Sequence, residues 1–291
     1  MTYARRLADG QQCRIRVFDL GTGSSALVHV STEVLFEAPN WTAGGDLVLN
    51  GDGLLWSLPA DGSAPPRRIA LDGVPDLNND HVLAPDGRTI YLSAGDGHIY
   101  RASLRGGAVR RVTRDDTRLH FLHGVSPDGR TLAYVGIEQR RWDAGTLWTI
   151  GADGSRDERL TPAGGGPDDG PEYAPDGEWL YFNTERFTGT AQLARIRPDG
   201  TGLEQLTDDE RVNWFPHVAP DGGRTVYLSF PPGTRGHPAD LTVELRLVEG
   251  DGWHAPRTLA ELPGGQGTIN VPSWAPDGGR FAYVEYPFGG D

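Results

Sequence analysis

The chain has 291 residues, of which 40 are acidic and 27 basic, so its formal net charge is −13. Nucleic acids and anionic membrane surfaces attract clustered Lys and Arg, and this acidic composition therefore excludes a general nucleic-acid-binding or membrane-binding surface. Eight Trp, nine Tyr and nine Phe supply apolar area for a core, while 41 Gly and 22 Pro predict many tight turns.

The start of the chain carries no targeting pattern. Its first nine residues contain no apolar stretch resembling the core of a signal peptide. No run of about 18 apolar residues, the length that spans a bilayer, occurs anywhere in the sequence. The single Cys13 excludes an internal disulfide and fits a reducing compartment. With Met1 as the native start, these features predict a cytoplasmic protein.

One turn motif recurs along the chain and divides it into units. A small residue followed by Pro-Asp-Gly occurs five times, and a degenerate sixth copy lies at residues 42–46. Pro sets φ at the first corner, and Asp-Gly supplies a side-chain acceptor and a permissive backbone. The complete copies are Ala84–Gly87, Ser126–Gly129, Ala174–Gly177, Ala219–Gly222 and Ala275–Gly278. Successive copies begin 42 to 56 residues apart, which is the spacing of a structural repeat.

Each turn is followed by three short strands. An alternating β-type run comes first, as in Thr89–Leu92, and a third strand, a second Gly turn and a fourth strand follow. Four short antiparallel strands in about 45 residues are typical of a propeller blade. The last unit has only two strands, and residues 14–31 supply two more. The sequence therefore predicts an all-β, six-bladed β-propeller, a single domain over residues 1–291 in which residues 14–31 complete the sixth blade with residues 269–286.

The repeats also carry a family resemblance. The hydrophobic residue before each Ser/Ala-Pro-Asp-Gly turn, the aromatic strand after it and the later Asp-Gly turn resemble those of the TolB-like six-bladed β-propellers. The resemblance extends over nearly the whole chain and implies the same fold. It implies function only broadly, because propellers serve both as binding proteins and as enzymes.

Candidate site residues lie just before the repeat turns. In a propeller, the segments that enter the first strand of each blade and the loops between second and third strands meet on one face. Four successive turns each have one histidine or carboxylate two or three positions before their small residue. These residues are His81, His123, Glu172 and His217. Imidazole and carboxylate groups that converge from separate strands suit a divalent transition metal such as Mn, Fe, Ni or Zn.

Two other interpretations of these residues remain open. Successive strand residues point to opposite faces, so the histidines at different positions need not share a direction. The same side chains then form a metal-free ligand site, or they are structural histidines that bond channel waters and neighbouring strands.

Loops on the same face add basic and aromatic side chains. Arg guanidinium groups hold carboxylates or phosphates in a bidentate fork, and aromatic rings offer flat apolar faces to a sugar. Arg186 is a candidate for the catalytic group, and the predicted substrate-binding residues are Asn79, Arg140, Arg141, Trp142, Tyr173, Trp214 and Asn270. Together they predict a small anionic or sugar-like ligand, including an oligosaccharide.

Two functions follow from these residues. In the first, His81, His123 and His217 hold a metal that assists a lyase-type proton abstraction beside a carboxylate or carbonyl, with Gln266 or Glu172 completing the shell. These ligand types are similar to those of the oligogalacturonate lyases, propeller enzymes that hold a divalent metal with several His and one Gln. In the second, the chain is a TolB-like binding module without catalysis, and its aromatic side chains anchor a protein, a peptide or a small ligand.

Overall fold

The computed structural model describes residues 5–289, which form a ring of six β-sheet blades. Strands make up nearly all of its regular structure, and within the described range a single 3-10 turn occurs, at Trp142–Ala144. None of the helical structure in that range is long and apolar enough to cross a membrane.

The strands are numbered in chain order. Those of blade 6 at the start of the chain are β1 (Cys13–Asp19) and β2 (Ser24–Ser31). Blade 1 contains β3 (Phe36–Trp41), β4 (Asp46–Gly51), β5 (Leu54–Pro59) and β6 (Arg67–Ile69). The next segment contains β7 (Leu71–Asp72), β8 (Leu77–Leu83), β9 (Thr89–Ala94), β10 (Ile99–Ser103), β11 (Gly107–Ala108) and β12 (Arg110–Arg111). Of these, β8, β9, β10 and β12 form blade 2, and β7 pairs with β11 in a small parallel sheet.

The remaining blades follow the same order from the channel outward. Blade 3 contains β13 (Arg118–Val125), β14 (Thr131–Glu138), β15 (Thr146–Gly151) and β16 (Glu158–Arg159). Blade 4 contains β17 (Asp168–Tyr173), β18 (Leu180–Thr184), β19 (Gln192–Ile196) and β20 (Glu204–Gln205). Blade 5 contains β21 (Val212–Val218), β22 (Arg224–Phe230), β23 (Leu241–Glu249) and β24 (Arg257–Gly264), and β25 (Arg280–Glu285) returns to blade 6.

The two ends of the chain share blade 6. Strand β1 pairs with β25 in antiparallel register from Arg14 opposite Glu285 to Asp19 opposite Arg280, and β2 pairs with the other side of β1. The backbone N–H of Gly289 donates to the carbonyl of Gly10 over 3.1 Å. This pairing confirms the predicted six-bladed ring and the closure of its last blade by N-terminal strands, which protects the edge of β25.

The repeat turns form through the chemistry of their sequence. In the first complete copy, Oδ1 of Asp86 accepts the backbone N–H groups of Arg88 and Thr89, each over 2.8 Å. Gly87 has a φ of 64°, a left-handed conformation that favours glycine. The turns thereby fix where each blade reverses, while the hydrophobic core fills the space between neighbouring blades, as Val82 of blade 2 does against Leu122 of blade 3.

The innermost strands of blades 1 to 5 each contain a β-bulge. Their pairing registers shift between Glu37 and Asn40, Leu77 and His81, Leu122 and Gly124, Asp169 and Glu172, and Trp214 and His217. Bulged residues leave the regular ladder and can aim side chains that pairing would otherwise turn away. These bulges sit at the face of the ring on which the sequence predicts the functional site.

Candidate functional site

A cavity of about 650 Å³ opens at this face, and we call it the channel-mouth cavity. It is lined by the bulged starts of innermost strands, by the loop between β14 and β15, and by the loop between β22 and β23. The side chains that line it include Arg5, Asn79, Asp80, Phe121, His123, Trp142, Asp143, Asp169, Glu185, Trp214, Phe215, His237, Gln266 and Asn270. A cavity of this size fits a small molecule or one or two side chains of a partner.

His123 lies in this cavity between carboxylates from two other blades. Its Nε2 is 3.2 Å from Oδ1 of Asp169 and 3.8 Å from Oδ1 of Asp80. Its Nδ1 lies 3.3 Å from the carbonyl oxygen of Asn270, which can only accept a hydrogen bond. Both ring nitrogens therefore face acceptors, and the geometry favours the doubly protonated imidazolium.

The pKa values of this group follow from burial and from the short distances. Burial disfavours the imidazolium of His123, but the charges of Asp80 and Asp169 outweigh it and raise its pKa to about 9. Burial raises the pKa of Asp80 to about 6 against the opposing charge of His123. Burial also opposes ionisation of Asp169, yet the hydrogen bond and charge of His123 bring its pKa below the usual range. Asp169 is thus the ionised partner of the His123 imidazolium, and Asp80 is the more readily protonated of the two carboxylates.

An NMR titration of the imidazole tests this ion pair. We expect His123 to remain protonated at neutral pH, and its pKa to fall by at least about one unit in Asp169→Asn, which keeps the shape but removes the nearer charge. Because the folded-state pKa lies above the ordinary one, the pair stabilises the fold fully below about pH 6.5 and loses that contribution as pH rises through about 9. Asp176→Asn, in a turn on the opposite face, is the control. A neutral His123 at pH 7 in the parent protein contradicts the prediction.

A chain of amide groups holds the second histidine of the cavity. His237 donates from Nδ1 to Oε1 of Gln266, and its Nε2 lies 3.7 Å from Oδ2 of Asp169. Gln266 in turn donates to Asn79 over 3.3 Å and accepts from Asn270 over 3.2 Å. These bonds fix the orientation of His237 and make one wall of the cavity polar.

Aromatic rings pack directly against these polar groups and form the aromatic wall of the cavity. The ring centroid of Trp214 lies 4.4 Å from that of His237, and Phe215 stacks on His123 at 5.8 Å. Nearer to solvent, Trp142 lies 5.6 Å from Phe121 and is 53% exposed. An exposed Trp beside an open cavity supplies a flat apolar surface for a ligand.

The predicted anion-binding arginines do not line this cavity. Nη2 of Arg186 is 2.5 Å from Oδ2 of Asp168, and both side chains are buried. Arg140 and Arg141 are exposed on the loop outside it, where Arg141 lies 3.7 Å from Asp143. Arg186 is therefore engaged by Asp168, and the anchoring of an anion by Arg140, Arg141 or Arg186 stays a prediction.

The predicted metal ligands do not converge either. Nε2 of His81 faces the carbonyl of Val48 in blade 1 at 3.3 Å, and burial lowers its pKa to about 4. His217 lies elsewhere in the channel, with Nδ1 2.6 Å from Oε2 of Glu172 and Nε2 against the carbonyl of Ile269. Within residues 5–289 no three His, Cys, Asp or Glu side chains are placed to hold a metal ion. The set of His81, His123, His217 and Gln266 does not fit a metal.

The bulges explain why the histidines diverge. His81 pairs with Leu92 and His217 pairs with Val226 in the regular ladders, whereas His123 is itself the bulged residue between Leu122 and Gly124. Equal distance from the repeat turn therefore does not give equal side-chain direction.

The structure brings together only some of the predicted residues, and His81, His217, Arg140, Arg141 and Arg186 lie outside the two cavities described next. Six of them meet in the channel-mouth cavity, and these are Asn79, His123, Trp142, Trp214, Gln266 and Asn270. Glu172 and Tyr173 line a smaller cavity of about 290 Å³ at the turn side of the ring. Asp80 and Asp169 were not predicted, although they stand only four or five positions before their repeat turns. Counting back further than three positions would have found both.

Comparison with known proteins identifies the family. The chain is 40% identical over 277 residues to the uncharacterized protein Atu1656 of Agrobacterium fabrum, covering 94% of this chain and 92% of that one. A solved structure from Agrobacterium tumefaciens, provisionally assigned as TolB, is 38% identical with a TM-score of 0.89 and covers 95% of this chain and 99% of its own. No protein-family model matches. The chain belongs to the TolB-like six-bladed β-propellers.

More distant similarity shows the fold alone. A TolB homolog of Chlorobium luteolum is 27% identical over 142 residues, which is 47% of this chain and 29% of the homolog. An oligogalacturonate lyase in complex with manganese superposes with a TM-score of 0.60 at 14% identity, covering 96% of this chain and 78% of the lyase. The manganese belongs to that lyase, and this similarity extends to the fold of the present chain.

Proposed function

We propose that this protein is a binding propeller of the TolB-like family that holds an aromatic or apolar group of its ligand in the channel-mouth cavity. The ligand is a small molecule or an exposed segment of a partner protein. The observation that carries the proposal is the cavity itself, in which aromatic side chains, among them the exposed Trp142, lie beside fixed polar groups. Apolar walls give affinity and a few placed polar groups give orientation, which is the usual composition of a ligand site.

The positions of the candidate metal ligands favour a binding function over metal-assisted lyase chemistry. The histidines that would hold the metal face three different surroundings, and His123 is occupied by two carboxylates. The proposed function therefore uses the cavity for recognition.

Calorimetric titration with indole tests the proposal. We expect saturable binding at one site, because a cavity of about 650 Å³ lined by aromatic side chains suits an apolar ring of this size. Truncating either wall residue, in Phe121→Ala or Trp142→Ala, should weaken binding by roughly two- to tenfold, the range that an aromatic pair contributes.

The matched control is Phe187→Ala. Phe187 is 42% exposed but does not line the cavity, so its truncation should leave indole binding unchanged. Absence of saturable binding up to the solubility of indole contradicts the proposal. So does near-stoichiometric manganese or zinc in the purified protein that is lost in His123→Ala, since that result returns the site to metal chemistry.

A further inference from the structure

We infer that the ligand enters the channel-mouth cavity with a protonated amine, whose ammonium group lies against the carboxylates of Asp80 and Asp169 while its carbon skeleton packs on the aromatic wall. This inference rests on the proposed function and adds the chemical class of the ligand. It replaces the anionic ligand that the sequence predicts.

The first support is a pair of carboxylate oxygens that lack donors. Oδ2 of Asp80 accepts from Asn78 over 2.6 Å, but its Oδ1 lies 3.8 Å from Nε2 of His123, beyond hydrogen-bond distance. In Asp169, Oδ1 accepts from Gly170 over 2.7 Å, but Oδ2 is 3.7 Å from Nε2 of His237. In the described part of the chain no side chain or backbone group donates to these two oxygens.

The burial of Asp80 makes the absence of a protein donor to its Oδ1 significant. Asp80 lines the cavity and is only 5% exposed, so a donor on a ligand that reaches its Oδ1 competes with little bulk water and forms a charge-assisted hydrogen bond. Both oxygens belong to groups that line the same cavity and that approach the same imidazole nitrogen. An ammonium group carries three N–H donors and no acceptor, so it matches a cavity end that presents carboxylate oxygens as acceptors.

The second support is the balance of charge around the cavity. Its lining acids include Asp80, Asp143, Asp169 and Glu185, whereas Arg5 is held by Glu37 at 3.0 Å. His123 provides the positive charge nearest to the acid pair, and it bonds Asp169 rather than Asp80. The field at the cavity therefore attracts cations and repels anionic ligands.

The third support is the arrangement of the rings. Trp142 and Phe121 stand at the mouth, and Trp214 and Phe215 stand beside the polar groups. The faces of aromatic rings attract organic cations, and Trp does so most strongly. A ligand that joins an ammonium group to an apolar skeleton therefore meets favourable surfaces at both ends.

Three indole derivatives with short side chains of different charge test the inference. Tryptamine carries an ammonium group, tryptophol a neutral hydroxyl and indole-3-acetate a carboxylate. We expect tryptamine to bind at least about tenfold more tightly than tryptophol, because charge-assisted hydrogen bonds are roughly twice as strong as neutral ones, and indole-3-acetate to bind most weakly. Asp80→Asn and Asp169→Asn should each remove most of the advantage of tryptamine while changing the affinity for tryptophol by less than about twofold.

Asp176→Asn is the matched control, since it removes one carboxylate from a turn on the opposite face and should leave all three affinities unchanged. Equal binding of tryptamine and tryptophol overturns the ammonium inference and leaves the proposed function standing. Binding of none of the three overturns both. Displacement of tryptamine by equimolar Mn²⁺ also overturns the inference, because it assigns the two carboxylates to a metal.

Discussion

Deletion of residues 1–31 is expected to leave a chain that is insoluble or has no cooperative unfolding transition. The deletion removes β1 and β2 and exposes the full length of β25. It also removes the buried side chains of Ile15, Val17 and Phe18, each of which contributes roughly 1.5–3 kcal/mol. Their sum is comparable to the whole stability of a typical protein, about 5–15 kcal/mol. Thermal unfolding followed by circular dichroism measures the effect.

A circular permutant is the control for this deletion. Joining the two ends by a flexible linker and opening the exposed turn between Ser63 and Ala64 retains every strand. The ends are close, because Gly289 bonds Gly10. The permutant should unfold cooperatively within a few degrees of the parent. A truncated chain that melts as the permutant does shows that the N-terminal strands are dispensable and that the closure of blade 6 does not stabilise the ring.

Asp168→Ala is expected to lower the free energy of unfolding by about 3–5 kcal/mol, the cost of removing one partner of a buried ion pair. The carboxylate of Asp168 accepts hydrogen bonds from Thr184 and from Arg186, each over 2.5 Å. Without it, the guanidinium of Arg186 stays buried with no compensating charge. Urea denaturation at neutral pH measures the change.

Two further variants separate charge burial from other effects. Glu204→Ala breaks a solvent-exposed pair with Arg195 at 2.8 Å, and such pairs contribute less than about 1 kcal/mol. The double variant Asp168→Leu with Arg186→Met removes both charges and should recover much of the loss, since apolar replacement of a whole pair is often neutral. If Asp168→Ala costs no more than Glu204→Ala, the buried pair does not stabilise the loops around the cavity.

The fold was predictable because its determinants are local. Each Pro-Asp-Gly turn forms through hydrogen bonds within a few residues, as Asp86 shows, and the turns repeat at nearly constant spacing. Counting strands between them then determines the number of blades and requires the strands of residues 14–31 to pair with those at the end of the chain.

The site was predictable only in part because its determinants are not local. His81 and His123 occupy the same position relative to their turns, yet one pairs in the ladder and the other is bulged. The partner of Arg186 is Asp168, eighteen positions earlier, and only the paired strands β17 and β18 bring them together. Bulge placement and cross-strand ion pairing depend on the folded ring, so the residue pattern indicates the face of the site but not its chemistry.

The bulges also bear on how this ring can acquire new specificities. Residues such as His123 and Phe215 stand outside the hydrogen-bonded registers of β13 and β21, so the pairing of those strands does not depend on their identity. Both side chains are buried, so a substitution there changes recognition and keeps the strand pairing, but it loses the packing of Phe215 or the ion pair of His123. A library randomised at the bulges of several blades would therefore sample new ligands on one scaffold. Blades that share a backbone could diverge one position at a time, and each change would be selected for binding and for stability together.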